Sequence, residues 1–172
     1  ASLVVWNEFN PKVPALMLEC IFILESVAPL KLHIDRFLPP SPIRVLVDLS
    51  GEDCSKDYTF EAIQSETNDE EVFRLKESPE VLRSIMPQLL ESAHTYANNA
   101  RLNRVASAYA NADEHLSSEL ARLIELKKVN SNVSDEEIDH SRIEREQVVM
   151  AIQNAQLRLD SVCLVLNNQN FK

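Results

Sequence analysis

From Gln88 to Lys128 the chain contains neither glycine nor proline. Alanine and leucine dominate this stretch, and Leu89, Ala93, Tyr96, Ala100, Ala112, Leu116, Leu120 and Leu123 fall on one stripe at steps of three and four. That period predicts a long amphipathic helix. Ser78-Pro79 reads as its start, an N-cap followed by proline at the first helical position. Pro87 lacks an N–H and predicts a break or kink nearby. A tight loop at Val129 to Ser134 follows. Ser134-Asp-Glu-Glu137 then fits a capping box, and its three acids suit the positive end of a second helix. Ile138, Ser141, Arg145, Val148, Ile152, Ala155 and Leu159 continue the three- and four-residue steps as a coiled-coil seam, interrupted at Ser141 and Arg145. Helices joined by so short a loop pair antiparallel. At ~1.5 Å per residue the longer one reaches roughly 60 Å, more than a compact domain of this size covers.

Strand-like segments flank this hairpin. Leu3 to Trp6 is a short apolar run closed by Asn10-Pro11. Leu16 to Leu24 alternates, with Leu16, Leu18, Cys20, Phe22 and Leu24 on one side, and is predicted as a strand; a helix is the alternative, because Leu16, Glu19 and Cys20 also fit a helical stripe. Pro39, Pro40 and Pro42 hold the chain extended ahead of a strand at Ile43 to Val47. Asp48-Leu-Ser-Gly51 is a turn signal, its glycine placed where φ > 0 is needed. Tyr58 to Ile63 alternates and is predicted as the next antiparallel strand; Asp69 to Lys76 is predicted as a short helix. Ser161 to Leu166 reads as a final strand. The expected class is therefore α+β: a small, mainly antiparallel sheet with a long antiparallel helical hairpin inserted before the last strand. Residues 1–63 plus 160–168 form the β core in this reading, and 64–159 form the hairpin arm.

Composition narrows the chemistry. Gly51 is the single glycine, which excludes a glycine-lined phosphate loop or a dinucleotide fingerprint. The formal net charge of -10 repels phosphate, so direct nucleic-acid binding is not expected. Cys20, Cys54 and Cys163 are an odd, widely spaced set without a C-x-x-C. They are neither a disulfide framework nor a zinc site, and fit buried thiols in a reducing, cytosolic setting. The longest apolar run, Ala15 to Leu24, is too short for a membrane span and contains Glu19. The first residue is not methionine, so the chain is expected to be part of something longer.

Two Glu-x-x-His pairs, Glu91 with His94 and Glu137 with His140, place a carboxylate and an imidazole on one helix face, as in di-iron bundles. Such a site needs glutamates from two further helices, so no metal ligand is assigned, and no catalytic or cofactor-binding residue either. His33 reads as a polar loop or strand residue, and Arg44 as an edge or salt-bridge residue. Asn132-Val-Ser134 matches a glycosylation sequon that a cytosolic setting makes irrelevant. The acids from Asp135 to Asp139 read as a solvated helix start, or as a contact for a basic protein surface.

Phe37-Leu-Pro-Pro-Ser-Pro-Ile-Arg-Val-Leu-Val-Asp48 resembles the C-terminal domain of the RapA family, bacterial RNA polymerase-associated ATPases of the Swi/Snf class. Leu24 to Pro29, Leu116 to Leu123 with Val129-Asn130, and Arg158-Leu159-Asp160 extend the resemblance over nearly the whole chain. Two departures are Ser50-Gly51, where the resemblance leads us to expect Asn-Gly, and Gln156-Leu157, where it leads us to expect an aromatic. The resemblance implies a bacterial, cytoplasmic parent that hydrolyses ATP, binds core RNA polymerase and helps it recycle. ATP and magnesium would be held by other domains of that parent, and no family catalytic residue maps onto this sequence. This segment would then be a non-catalytic accessory domain whose partners are its parent's other domains and, through the parent, polymerase. A free-standing coiled-coil interaction module is the alternative, and a metal-binding enzyme the third reading.

Overall fold

The computed structural model describes residues 2–6, 13–64 and 79–167. In chain order these form β1 (Ser2–Trp6), β2 (Leu16–Glu25), β3 (Ser41–Asp48), α1 (Phe60–Gln64), α2 (Pro79–Val129), α3 (Asp135–Gln153) and β4 (Gln156–Asn167). Two three-ten turns, Leu30–Leu32 and Ile34–Arg36, lie between β2 and β3. The chain divides into two units: Ala1–Ile23, Pro42–Asn99 and Arg158–Lys172 form the first, and Leu24–Ser41 and Ala100–Leu157 the second.

The first unit is built on a four-stranded sheet of order β1-β4-β2-β3. β4 runs parallel to β1, with Val4 opposite Val165, and the rest of the sheet is antiparallel. The alternation in β2 sorts its side chains onto two covered faces. Phe22 packs edge-on against His94 of α2, with ring centroids 5.9 Å apart. On the other face Met17 joins Val13, Leu46, Cys54, Ile63 and Val165 in one apolar cluster. Also on that face, Glu19 is buried and receives a 2.6 Å hydrogen bond from Arg44 Nε, while Arg44 Nη1 donates to the Tyr58 carbonyl at 2.8 Å. This ion pair fastens the segment after β3 to the sheet.

The turn after β3 forms as its residues dictate. Asp48 Oδ1 accepts from the Ser50 and Glu52 amides at 2.8 and 3.0 Å, and Gly51 takes φ +81°. The returning chain then makes a single bridge, Val47 with Asp53, and Cys54 N–H donates to the Leu46 carbonyl at 2.7 Å. The strand expected at Tyr58 to Ile63 does not form. Thr59 instead caps the short helix α1, its Oγ1 accepting from the Ala62 amide at 3.3 Å. Ile63 reaches the cluster from one helical turn, which a six-residue alternation does not exclude. The helix expected at Asp69 to Lys76 and the N-cap at Ser78 lie outside the described residues.

The second unit is the hairpin from Ala100 onward and the segment that covers it. Lys127 pairs with Asp135, Arg145 with Asp113, and Arg101 with the Ala155 carbonyl. Partners thus recede along α2 as α3 advances, which is the antiparallel arrangement expected. Val105, Ala108, Ala112 and Leu116 of α2 and Ile138, Val148 and Ile152 of α3 are buried. Leu32, Ile34 and Leu38 are buried as well, and the two three-ten turns contact α3. Phe37 packs edge-on against His115, and Ser26 Oγ donates to the Ala151 carbonyl at 2.7 Å.

Of the break or kink expected at Pro87 the break does not form, and one boundary differs from the sequence reading. α2 continues through Pro87 without a break. Arg83, Ser84, Pro87 and Gln88 are exposed, so the carbonyl that proline leaves unbonded faces water. α3 stops at Gln153, and β4 begins at Gln156 rather than Ser161. Asn154 closes α3, its N–H donating to the Met150 carbonyl at 3.0 Å, and Arg101 binds the Ala155 carbonyl at 3.1 Å. Ala155 and Leu159 extend the helical steps on paper. Leu157 and Leu159 also alternate with Gln156, Arg158 and Asp160, and the sheet selects that second period.

Candidate functional site

The loop end of the hairpin is assembled by local rules. The Asn130 amide donates to the Leu126 carbonyl at 2.8 Å, ending α2, and Asn130 Oδ1 accepts from the Asn132 amide at 3.0 Å. Ser134 Oγ accepts from the Glu137 amide at 3.1 Å, and a Glu137 carboxylate oxygen accepts from the Ser134 amide at 3.0 Å. The expected capping box is therefore complete. Val133 and Ile138 are buried beneath it, while Val129 is exposed.

Charge at this end is distributed unevenly. Lys127 pairs with Asp135, Lys128 with Glu125 at 2.6 Å, and Arg142 with Asp139 at 2.7 Å. An open groove of about 580 Å³ lies beside these pairs, between α2 and α3. Glu119, Glu136, Glu137 and Glu144 line it against the single guanidinium of Arg122, with His140 also facing it. Its lining carries more negative than positive charge and suits a cationic partner better than phosphate.

A second concavity, about 430 Å³, lies within the segment that covers the hairpin, lined by Ser26, Pro29, Leu30, His33, Ile34 and Leu38. His33 takes φ +46° between the two three-ten turns. Val27 and Leu30 beside it are 91% and 94% exposed. Sequence reading gave His33 as a polar loop or strand residue but missed this surface, because three-ten turns show no helical or strand period.

The remaining sequence candidates are placed as follows. Glu91 and His94 are exposed on α2 in the first unit, where His94 packs against Phe22. Glu137 and His140 belong to the second unit, with Glu137 committed to the capping box. Among the described residues no group of three or more His, Cys, Asp or Glu is arranged to hold a metal ion. Arg44 is a salt-bridge residue, as expected. His33 is an exposed loop residue, and Asn132 is exposed in the hairpin loop. Cys20 and Cys54 are buried and Cys163 is half-buried, and none of the three is in a disulfide. Burial, with Glu19 as the second cause, pushes the Cys20 thiol up to about 11. Among the described residues no helix is long and apolar enough to cross a membrane.

Residues 1–167 match the family described as RNA polymerase recycling family C-terminal. The chain is 32% identical over 154 residues to the RNA polymerase-associated protein RapA of Serratia proteamaculans, covering 90% of this chain and 16% of that protein. It is likewise 32% identical to the RapA proteins of Histophilus somni and Pasteurella multocida, each over 162 residues, covering 93% of this chain and 17% of theirs. The chain thus spans about one sixth of the length of the curated relatives it matches. A match that runs through the sheet, the hairpin and the returning strand alike places this chain in the RNA polymerase recycling family, as its C-terminal portion.

Proposed function

We propose that this chain is the non-catalytic C-terminal accessory domain of an RNA polymerase-associated, Swi/Snf-type ATPase that recycles polymerase during transcription in the bacterial cytoplasm. The observation that carries this reading is the family match over residues 1–167. Where the polar side chains are used supports it. Glu137 caps a helix, His94 packs on an aromatic ring, and Arg44 and Glu19 neutralise each other inside the fold. ATP and magnesium belong to other domains of the parent. The chain's partners are those domains and, through them, polymerase. The hairpin of α2 and α3 is the coiled-coil-like part that makes protein contacts.

The test uses the full-length parent with and without this segment. Loss of the segment should leave ATP hydrolysis within a few-fold while multi-round transcription stimulated by the parent declines. A parent that recycles polymerase equally well without the segment would overturn the accessory role. ATP turnover by the purified segment that survives repurification would overturn its non-catalytic character.

A further inference from the structure

One ion pair of the second unit sits within the apolar stripe of the hairpin. Arg145 Nη2 donates to Asp113 Oδ1 at 2.5 Å, with the two side chains 33% and 31% exposed. Along the helices their neighbours Ala112, Leu116 and Val148 are buried. Arg145 Nε is buried and has no hydrogen-bond partner, so the pair is incompletely satisfied. At about one third exposure the attraction in such a pair is screened and worth little, and where the pair is desolvated an apolar replacement of similar volume is often at least as stable. Stability therefore does not account for its place in the seam.

Register does. The α2 stripe carries Val105, Ala108, Ala112 and Leu116, and α3 offers Ile138, Val148 and Ile152. Apolar residues at three- and four-residue steps meet apolar residues again after a slide of one turn, so burial alone discriminates poorly between alignments. The charges discriminate sharply. A one-turn slide in one direction sets Arg145 level with Ser117 and Asp113 level with Val149; in the other it sets them level with Tyr109 and Ser141. Both slides leave two charges without a complement in a partly desolvated seam. The loop from Asn130 to Ser134 and the two-residue link Asn154-Ala155 to β4 penalise such slides without forbidding them, because a turn of helix can melt at either end. We propose that Asp113 and Arg145 form a register lock, selecting one antiparallel alignment of α2 and α3 rather than adding stability. This inference does not depend on the polymerase-linked reading.

The test places nitroxides at the exposed positions 118 and 147 of the full-length protein, through a ketone-bearing amino acid, and measures their separation by pulsed electron resonance. Asp113→Leu with Arg145→Met should keep or raise the melting temperature. It should also split the single distance into two or more populations, from slides of about 6 Å along the helix axis. Asp113→Arg with Arg145→Asp should restore the single native distance. A single native distance in the apolar variant would overturn the proposal. If that variant does not fold, the charge-swapped variant decides: the native distance supports the lock, and a broadened or displaced one refutes it.

Discussion

Gly51 meets two independent demands. Its φ of +81° lies where a side chain is strained, and a Cβ built there would sit 2.7 Å from Ser92 Oγ. Gly51→Ala is therefore expected to destabilise the first unit by roughly 1–3 kcal/mol, read as a lowered urea midpoint. Adding Ser92→Ala should recover the steric share and leave the backbone share, so full recovery would show that φ carries no cost. Cys20 adds a pH dependence. Its thiol keeps its proton in the folded state up to about 11, while the ordinary value is 9.0. Between these values the unfolded chain binds fewer protons than the folded one, so stability falls as pH rises through that window and is unaffected below it. Cys54 shifts the same way, from burial first and then from Asp48, Asp57 and Asp53. Lysines and tyrosines titrate in the same range, so the informative quantity is a difference. The urea midpoint of Cys20→Ala should decline less steeply between pH 9 and pH 11 than that of the wild type, and equal slopes would count against the buried-thiol account.

Among the elements, β4 holds the sheet together. It lies between β1 and β2, it is the only neighbour of β1 among the described residues, and it contributes Leu164, Val165 and Leu166 to the buried set. Burying three such side chains is worth roughly 5–9 kcal/mol, comparable with the whole stability of an ordinary domain, ~5–15 kcal/mol. Truncation before Ser161 should abolish cooperative melting and solubility, because it also exposes the edge of β2. A soluble truncation that melts cooperatively would show β4 to be dispensable. Elements were legible in the sequence where one local rule sufficed. The capping box at Ser134, the turn at Gly51 and the ten-residue alternation of β2 each carry their own signal. Tyr58 to Ile63 was not legible, since six residues with two aromatics fit either period and the choice falls to Thr59 capping and the fit of Ile63 into the cluster. The end of α3 was hidden for a related reason: Ala155 and Leu159 satisfy the helical step while Leu157 and Leu159 satisfy the strand step. The contact of the Leu30 to Leu38 segment with α3 is a tertiary choice with no periodic trace. Of the loop end of the hairpin, the acids and the cap were legible. The pairing of Lys127, Lys128 and Arg142, which leaves the groove acidic, required the structure.

For the molecule as a whole the governing quantity is charge. A formal net charge of -10 disfavours phosphate on average, but at physiological salt the reach of each charge is limited to about 8 Å. Contacts are therefore decided by local surplus. At the loop end of the hairpin that surplus lies in Glu136, Glu144 and Glu119, the last 3.5 Å from His115 Nε2, since Asp135, Glu125 and Asp139 are already matched by bases and Glu137 serves the cap. If this end meets a basic protein surface, neutralising those three residues should weaken the contact without harming the helix. Glu119→Gln, Glu136→Gln and Glu144→Gln together, in the full-length parent, should lower affinity for polymerase or for the neighbouring domain by about threefold to tenfold, as expected for exposed charges worth ~0.2–0.5 kcal/mol each. The dependence of that affinity on salt should become shallower in parallel. DNA binding by the parent should stay the same or strengthen, because three negative charges are removed. The melting temperature serves as the control and should not change. Unaltered affinity for polymerase and for every other domain of the parent would remove the loop end from the contact surface. The remaining candidate would then be the exposed apolar side chains of Val27 and Leu30 beside the three-ten turns, which the same neutralisation leaves untouched.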